Sequence, residues 1–134
     1  VEGDLTTPKG TFNLGNIYYR SDRVQKPSSK LKSISIKKNM GWCDDPSSKF
    51  YNKLIKIKKN LRISHEKLYR KDHKYDFFIL IKYNYKNPIK LKGSAIFLHL
   101  TKNYLPTKGC IALCEKDFLI LAKLINKKTK IKIN

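Results

Sequence analysis

The residues best suited to chemistry fall in one stretch. His99 and Cys110 stand eleven positions apart in Gly93–Leu113, which reads G-S-A-I-F-L-H-L-T-K-N-Y-L-P-T-K-G-C-I-A-L. Two apolar, strand-like runs, Ser94–Leu100 and Cys110–Leu113, flank a polar connection containing Pro106 and Gly109. The histidine lies near the end of the first run and the cysteine opens the second. Adjacent strands can bring such side chains within hydrogen-bond reach, a layout that suits a thiol nucleophile and its base. Gly109 lets the backbone turn sharply, so that neighbouring N–H groups can face an oxyanion rather than a sheet partner.

Other polar groups carry two readings each. Arg20-Ser21-Asp22-Arg23 is either a surface ion pair worth about 0–1 kcal/mol or an anion clamp for a substrate carboxylate. Met40–Ser48 holds the single Trp and a Cys-Asp-Asp run. That run could be a site, or a turn-rich loop anchored by a buried Trp42 with Cys43 as a small hydrophobe. His65 is either a second catalytic histidine or a packing residue at a helix start, and His73 reads as loop surface. The three cysteines are an odd number, so at least one thiol has no internal disulfide partner. Cys110 and Cys114 are four apart and His65 and His73 eight apart. No second pair follows at metal-ligand spacing, so we expect no metal, and thiol acyl transfer needs no cofactor.

The elements that must position these groups are mostly strands. Pro8-Lys9-Gly10 marks a turn, and Thr11–Tyr19 reads as a strand with a bulge at Gly15. Leu31–Lys38 alternates with period two, as a half-buried strand does, and Phe50–Lys58 contains a short one. Ser64-His65-Glu66-Lys67-Leu68-Tyr69 has the form of a short helix capped by Ser64, with Glu66 at the positive end of the dipole. Asp76–Tyr85 is a near-continuous apolar run, the pattern of a central strand covered on both faces. Glu115–Asn126 is helical, with Phe118, Leu121, Ala122 and Ile125 on one face and Cys114, a structural residue, at the N-cap. Lys127–Thr129 turns the chain into a last strand, Lys130–Ile133. The expectation is a mainly β fold with one C-terminal helix and short helical turns.

The chain has 134 residues, 40% hydrophobic and 30% charged, which fits a folded domain rather than a disordered one. No apolar run approaches the ~20 residues of a membrane helix, and the first residues lack the pattern of a signal peptide. The chain begins at Val1 rather than Met, as expected of a piece of a longer protein. The formal net charge is +20, a balance found in proteins that bind nucleic acid, anionic membranes or cell walls. Of the 30 basic residues, however, only Arg20, Arg23, Arg62 and Arg70 are arginine, and lysine is the weaker group for bidentate recognition of phosphates or bases. With abundant Ile and Asn, the lysines reflect AT-rich coding and a solvated surface. A non-enzymatic module binding nucleic acid would need clustered arginines and exposed aromatics on one face, and the tyrosines are scattered. We expect no nucleic-acid partner.

The segment H-L-T-K-N-Y-L-P-T-K-G-C-I-A-L, leading into E-K-D, resembles the catalytic signature of the L,D-transpeptidases with a YkuD-type domain. Those enzymes carry a histidine, a gap, then S-H-G-C and a strand entering a helix. Thr7-Pro8-Lys9-Gly10-Thr11-Phe12 is similar to the T-P-x-G-x-F segment near the start of that domain. G-W-C-D-D-P, S-H-E-K-L-Y and G-S-A-I-F-L-H resemble one proteobacterial subgroup with a T-x-G-C-I-A-L motif. The resemblance implies a β-sandwich or curved mixed sheet and one catalytic domain over residues 1–134, missing one or two N-terminal strands. It also implies action on peptidoglycan stem peptides, at the periplasmic or cell-wall side.

By position, Cys110 matches the family nucleophile, His99 its base, and Gly109 the oxyanion-hole glycine. Arg20, Arg23, Thr107 and Lys108 are then candidates for substrate binding. Thr107 and Lys108 replace the motif's Ser and second His, Ala112 stands where many members have Arg or Asn, and the His99–Cys110 gap is shorter. These departures concern donor and acceptor recognition rather than the nucleophile. The implied reaction is transfer through a thioester to an amine. The alternative is a carboxypeptidase or amidase in which water takes the thioester.

Overall fold

In chain order the strands are β1 (Gly10–Tyr19), β2 (Ser33–Ser35), β3 (Met40–Cys43), β4 (Leu54–Lys56), β5 (His65–Lys67), β6 (Phe77–Ile81), β7 (Phe97–Leu100), β8 (Ile111–Leu113) and β9 (Lys130–Ile133). Among the described residues one helix, α1 (Glu115–Leu124), joins β8 to β9. The computed structural model describes residues 9–85, 88–89, 94–101 and 111–133. The Thr7-Pro8 turn and the positions Thr107, Lys108, Gly109 and Cys110 lie outside the described residues.

The larger sheet runs β2-β1-β6-β7-β8, with β9 added on β1. β1 pairs antiparallel with β6, and its register shifts between Leu14 and Ile17, so that three steps on β1 face two on β6. This is the bulge expected at Gly15. A Cβ on Gly15 would come within 3.0 Å of Leu80 Cβ, so the close crossing of β1 over β6 needs a glycine there. The first half of β1 pairs antiparallel with β9 and its second half pairs parallel with β2.

All five side chains of β6 are buried, and their alternation divides them between two cores. Phe77, Ile79 and Ile81 join Leu98, Leu100, Phe118 and Ala122 in the core under α1. Phe78 and Leu80 join Trp42, Leu68, Tyr75 and Phe97 on the other face. A strand covered on both sides has no polar face, which is why its sequence is continuously apolar. α1 lies across the first core, burying Phe118 and Ala122 and exposing Ile120 and Leu124. Its N-cap is Cys114, whose side chain makes no capping hydrogen bond.

A second, three-stranded sheet, β4-β3-β5, covers the other face of β6. Two expectations are corrected here. Met40–Ser48 is not a loop throughout: Met40–Cys43 is the central strand of this sheet, with Trp42 and Cys43 buried. Ser64–Tyr69 is not a capped helix: His65–Lys67 pairs with β3 through Gly41↔Lys67, Trp42↔Glu66 and Cys43↔His65. The Ser64 hydroxyl donates to Asp44 Oδ1 at 2.6 Å instead of capping a helix. The sheet is tied to the rest by Asn52, which is buried. Its Oδ1 accepts from Trp42 Nε1 and from the Ala95 N–H, and its Nδ2 donates to the carbonyls of Tyr83 and Asn84.

Candidate active site

β7 delivers His99 into the interior. Alternation sends Leu98 and Leu100 toward α1, and Phe97 toward the three-stranded sheet. His99 shares the parity of Phe97 and is 1% exposed. Its Nδ1 lies 2.9 Å from the carbonyl oxygen of Leu100. A carbonyl can only accept, so Nδ1 carries the proton and Nε2 the lone pair. Nε2 is fully buried and has no hydrogen-bond partner among the described residues. Burial pushes the pKa of the imidazole down to about 4; the Leu100 carbonyl opposes that shift, and the positive charges of Lys74 and Arg70 add to it. At neutral pH the group is therefore a neutral imidazole whose Nε2 lone pair meets no hydrogen-bond donor among the described residues.

The neighbouring strand is β8, parallel to β7, with Leu98↔Ile111, His99↔Ala112 and Leu100↔Leu113 in register. β8 begins one residue after Cys110 in the sequence. Ile111 and Leu113 pack against the core under α1, and Ala112, opposite His99, has the other parity. At the end of the pair, the Thr101 N–H donates to the Leu113 carbonyl at 2.8 Å, and the Leu100 N–H donates to the Lys74 carbonyl at 3.1 Å. The 70–76 segment is thereby bonded to the residue next to the histidine.

That segment is held by the two candidate arginines. Arg20, 3% exposed, forms a two-pronged pair with Asp22 at 2.8 and 2.9 Å and donates to the Arg70 carbonyl at 2.5 Å. It also stacks on the Tyr69 ring, 3.6 Å from the centroid. The pairing holds the Asp22 carboxyl well below the usual carboxylate range. Arg23 donates to the carbonyls of Asp72 and Lys71 and to Asp76 Oδ1. The other oxygen of Asp76 accepts from His73 at 2.7 Å, and Arg70 pairs with Asp72. The guanidinium groups of Arg20 and Arg23 thus spend these donors on the protein's own carboxylates and carbonyls.

His65 and Cys43 sit together elsewhere, as register partners in the three-stranded sheet. His65 Nδ1 is 2.6 Å from the Ile63 carbonyl. One further group near His99, Tyr75, is not singled out by the sequence, and neither is its contact with Glu66. Tyr75, 1% exposed, sets its ring against the imidazole at a centroid distance of 5.9 Å and an angle of 65°. Its hydroxyl donates a hydrogen bond to Glu66 Oε1 on β5. The only signal in the sequence is an aromatic placed just before the most apolar strand. Among the described residues, no three His, Cys, Asp or Glu side chains group as metal ligands.

The described residues thus form a mixed β fold with one helix, in which a buried histidine lies on a strand paired in parallel with β8. The profile of the L,D-transpeptidase catalytic domain, YkuD, matches residues 1–133, and the chain belongs to that family. It is a catalytic domain of L,D-transpeptidase type, and membership implies peptidoglycan as substrate and action at the cell wall. No curated protein and no solved structure matches the chain significantly. Among the described residues no helix is long and apolar enough to cross a membrane.

Proposed function

We propose that the chain is a cysteine-dependent L,D-transpeptidase in which His99 serves Cys110 as base and acid. His99 Nε2 takes the Cys110 thiol proton as sulfur attacks the carbonyl of an L-centre–D-amino acid bond in a stem peptide. Backbone N–H groups around Gly109 and Cys110 hold the tetrahedral oxyanion. As it collapses, the C–N bond breaks and the imidazolium gives its proton to the departing amine of the D-amino acid. The thioester on Cys110 is then attacked by an amine of a second stem peptide. His99 accepts that amine's proton and returns it to the leaving thiolate, and the new amide is the cross-link. Thr107 and Lys108, beside the nucleophile in sequence, contact the bound stem. Arg20 and Arg23 act on the site through the 70–76 segment.

The observation that carries this reading is the state of His99. It is buried and neutral, its Nδ1 is occupied by Leu100, and its Nε2 is without a partner among the described residues. Chain order supports the assignment of its thiol. Cys110 directly precedes β8 in the sequence, the strand whose Ala112 is the register partner of His99. Because His99 has a low pKa, the thiol is activated by proton transfer during attack rather than held as a preformed thiolate–imidazolium pair.

The products decide what takes the thioester. Incubated with purified disaccharide-tetrapeptide, the protein is expected to yield cross-linked dimers with release of one D-amino acid per bond. Trimmed monomers alone would make water the acceptor and the protein a carboxypeptidase.

A further inference from the structure

We propose that Tyr75 and Glu66 form a positioning pair that fixes the His99 imidazole for its proton transfers, an inference that rests on the function proposed for His99. One hydrogen bond, from Nδ1 to the Leu100 carbonyl, leaves the ring free to tilt about that contact, because the second torsion of histidine has a broad well. The edge-on Tyr75 ring limits the tilt from one side. Tyr75 is in turn fixed at both ends. Its backbone follows Lys74, whose carbonyl accepts from the Leu100 N–H, and its hydroxyl reaches across to Glu66 on the other sheet.

The polar contact that Tyr75 makes beyond its apolar packing favours a positioning role over simple filling. Tyr75 packs on Phe78 and Phe97, with ring centroids 5.0 and 5.7 Å away. A phenylalanine would fill the same space, and an apolar residue at position 66 would avoid the desolvation that raises the pKa of Glu66. A part-buried hydroxyl–carboxylate bond adds direction, which apolar packing lacks. The pair also links the histidine to β5, so that the three-stranded sheet contributes to the geometry of the base. The charged groups acting on His99 from this side are Lys74, Arg70 and Asp72; Glu66 acts in turn on Lys74 and Arg70, so Glu66→Gln, which removes the charge and keeps the acceptor, separates charge from hydrogen bonding.

The test compares Tyr75→Phe, Glu66→Leu and Glu66→Gln with the wild type. The readouts are acylation of Cys110 by the disaccharide-tetrapeptide as a function of pH, and the ring nitrogen NMR signals of His99 assigned with His99→Gln. Tyr75→Phe and Glu66→Leu are expected to lower the acylation rate about tenfold with KM little changed, to displace the pH profile, and to shift or broaden the His99 signals. Glu66→Gln keeps an oxygen acceptor for the Tyr75 hydroxyl and is expected to behave as wild type. Superimposable His99 signals and an unchanged pH profile in folded Tyr75→Phe and Glu66→Leu would overturn the inference. A wild type that is never acylated would instead overturn the proposed function, while the NMR comparison would still decide whether the pair orients the ring. Should Tyr75→Phe not fold, the Glu66 variants decide it.

Discussion

His99 and Ala112 are register partners across the parallel β7–β8 pair. Their side chains share one face of the sheet, at the strand spacing of about 4.8 Å. The imidazole is therefore opposed by a single methyl group. Ala112→Leu adds three carbons beside the base, and we expect it to lower acyl-transfer activity about tenfold or more while costing about 1–3 kcal/mol in stability. Steady-state rates and urea unfolding of the same preparation check this. An active enzyme with wild-type kinetics would mean that the His99–Ala112 side of the pair is remote from substrate.

The buried neutral histidine gives stability a pH dependence of known sign. Its pKa falls from an ordinary 6.5 to about 4 on folding. The unfolded chain therefore binds the proton more tightly, and stability rises with pH across that window. The contribution is complete above about 6.5 and is lost as the pH falls toward about 4. Unfolding free energies of wild type and His99→Gln, compared at neutral pH and at pH values inside the window, cancel the titration of every other group. The wild type's advantage should shrink on acidification; a difference independent of pH would contradict the burial argument.

Arg23→Ala should loosen the segment that borders the site. It removes donors to two carbonyls and leaves Asp76, whose side chain is 8% exposed, paired with His73 alone. Loss of one partner of a largely buried ion pair costs about 2–4 kcal/mol. Arg23→Lys should recover only part of this, since one ammonium cannot span three acceptors as a planar fork does. Denaturant midpoints for the two variants check the ranking, and equal midpoints would show that the charge alone matters.

Asn52 separates backbone strain from hydrogen bonding at one position. Its φ is 58°, which glycine adopts freely, and its side chain bonds to Trp42, Tyr83, Asn84 and Ala95. Asn52→Gly removes the bonds without left-handed strain, whereas Asn52→Ala adds about 1 kcal/mol of it. Both variants should fall well below wild type in urea midpoint, with Ala the lower. A glycine variant near wild-type stability would show that the clasp contributes little.

The sequence was most informative where a segment's own pattern matched its surroundings. Phe77–Ile81 is apolar on both faces because both are covered, Gly15 marks the register shift against β6, and Phe118 and Ala122 fall on the buried side of α1. It misled where distant partners decided the outcome. Ser64 and Glu66 carry the pattern of a helix start, yet their side chains bond to Asp44 and Tyr75, and the backbone pairs with β3. A three-residue strand has too little periodicity to outweigh a local capping signal. The surroundings of His99 were similarly hidden, since Tyr75 and Glu66 lie nine residues apart and meet only through the packing of two sheets. The two readings of Arg20-Ser21-Asp22-Arg23 could not be told apart without knowing which carbonyls of the 70–76 segment lie within reach.

The central claim is that Cys110 is the acyl carrier and His99 its base, and peptide mapping of the acylated protein tests it most directly. After brief reaction with disaccharide-tetrapeptide, the account predicts a single acyl adduct on Cys110 in the wild type and in Cys114→Ala. It predicts none in Cys110→Ala and a rate lowered at least a hundredfold in His99→Gln. A folded wild type with a reduced, unmodified Cys110, or an adduct carried by Cys114, would contradict it.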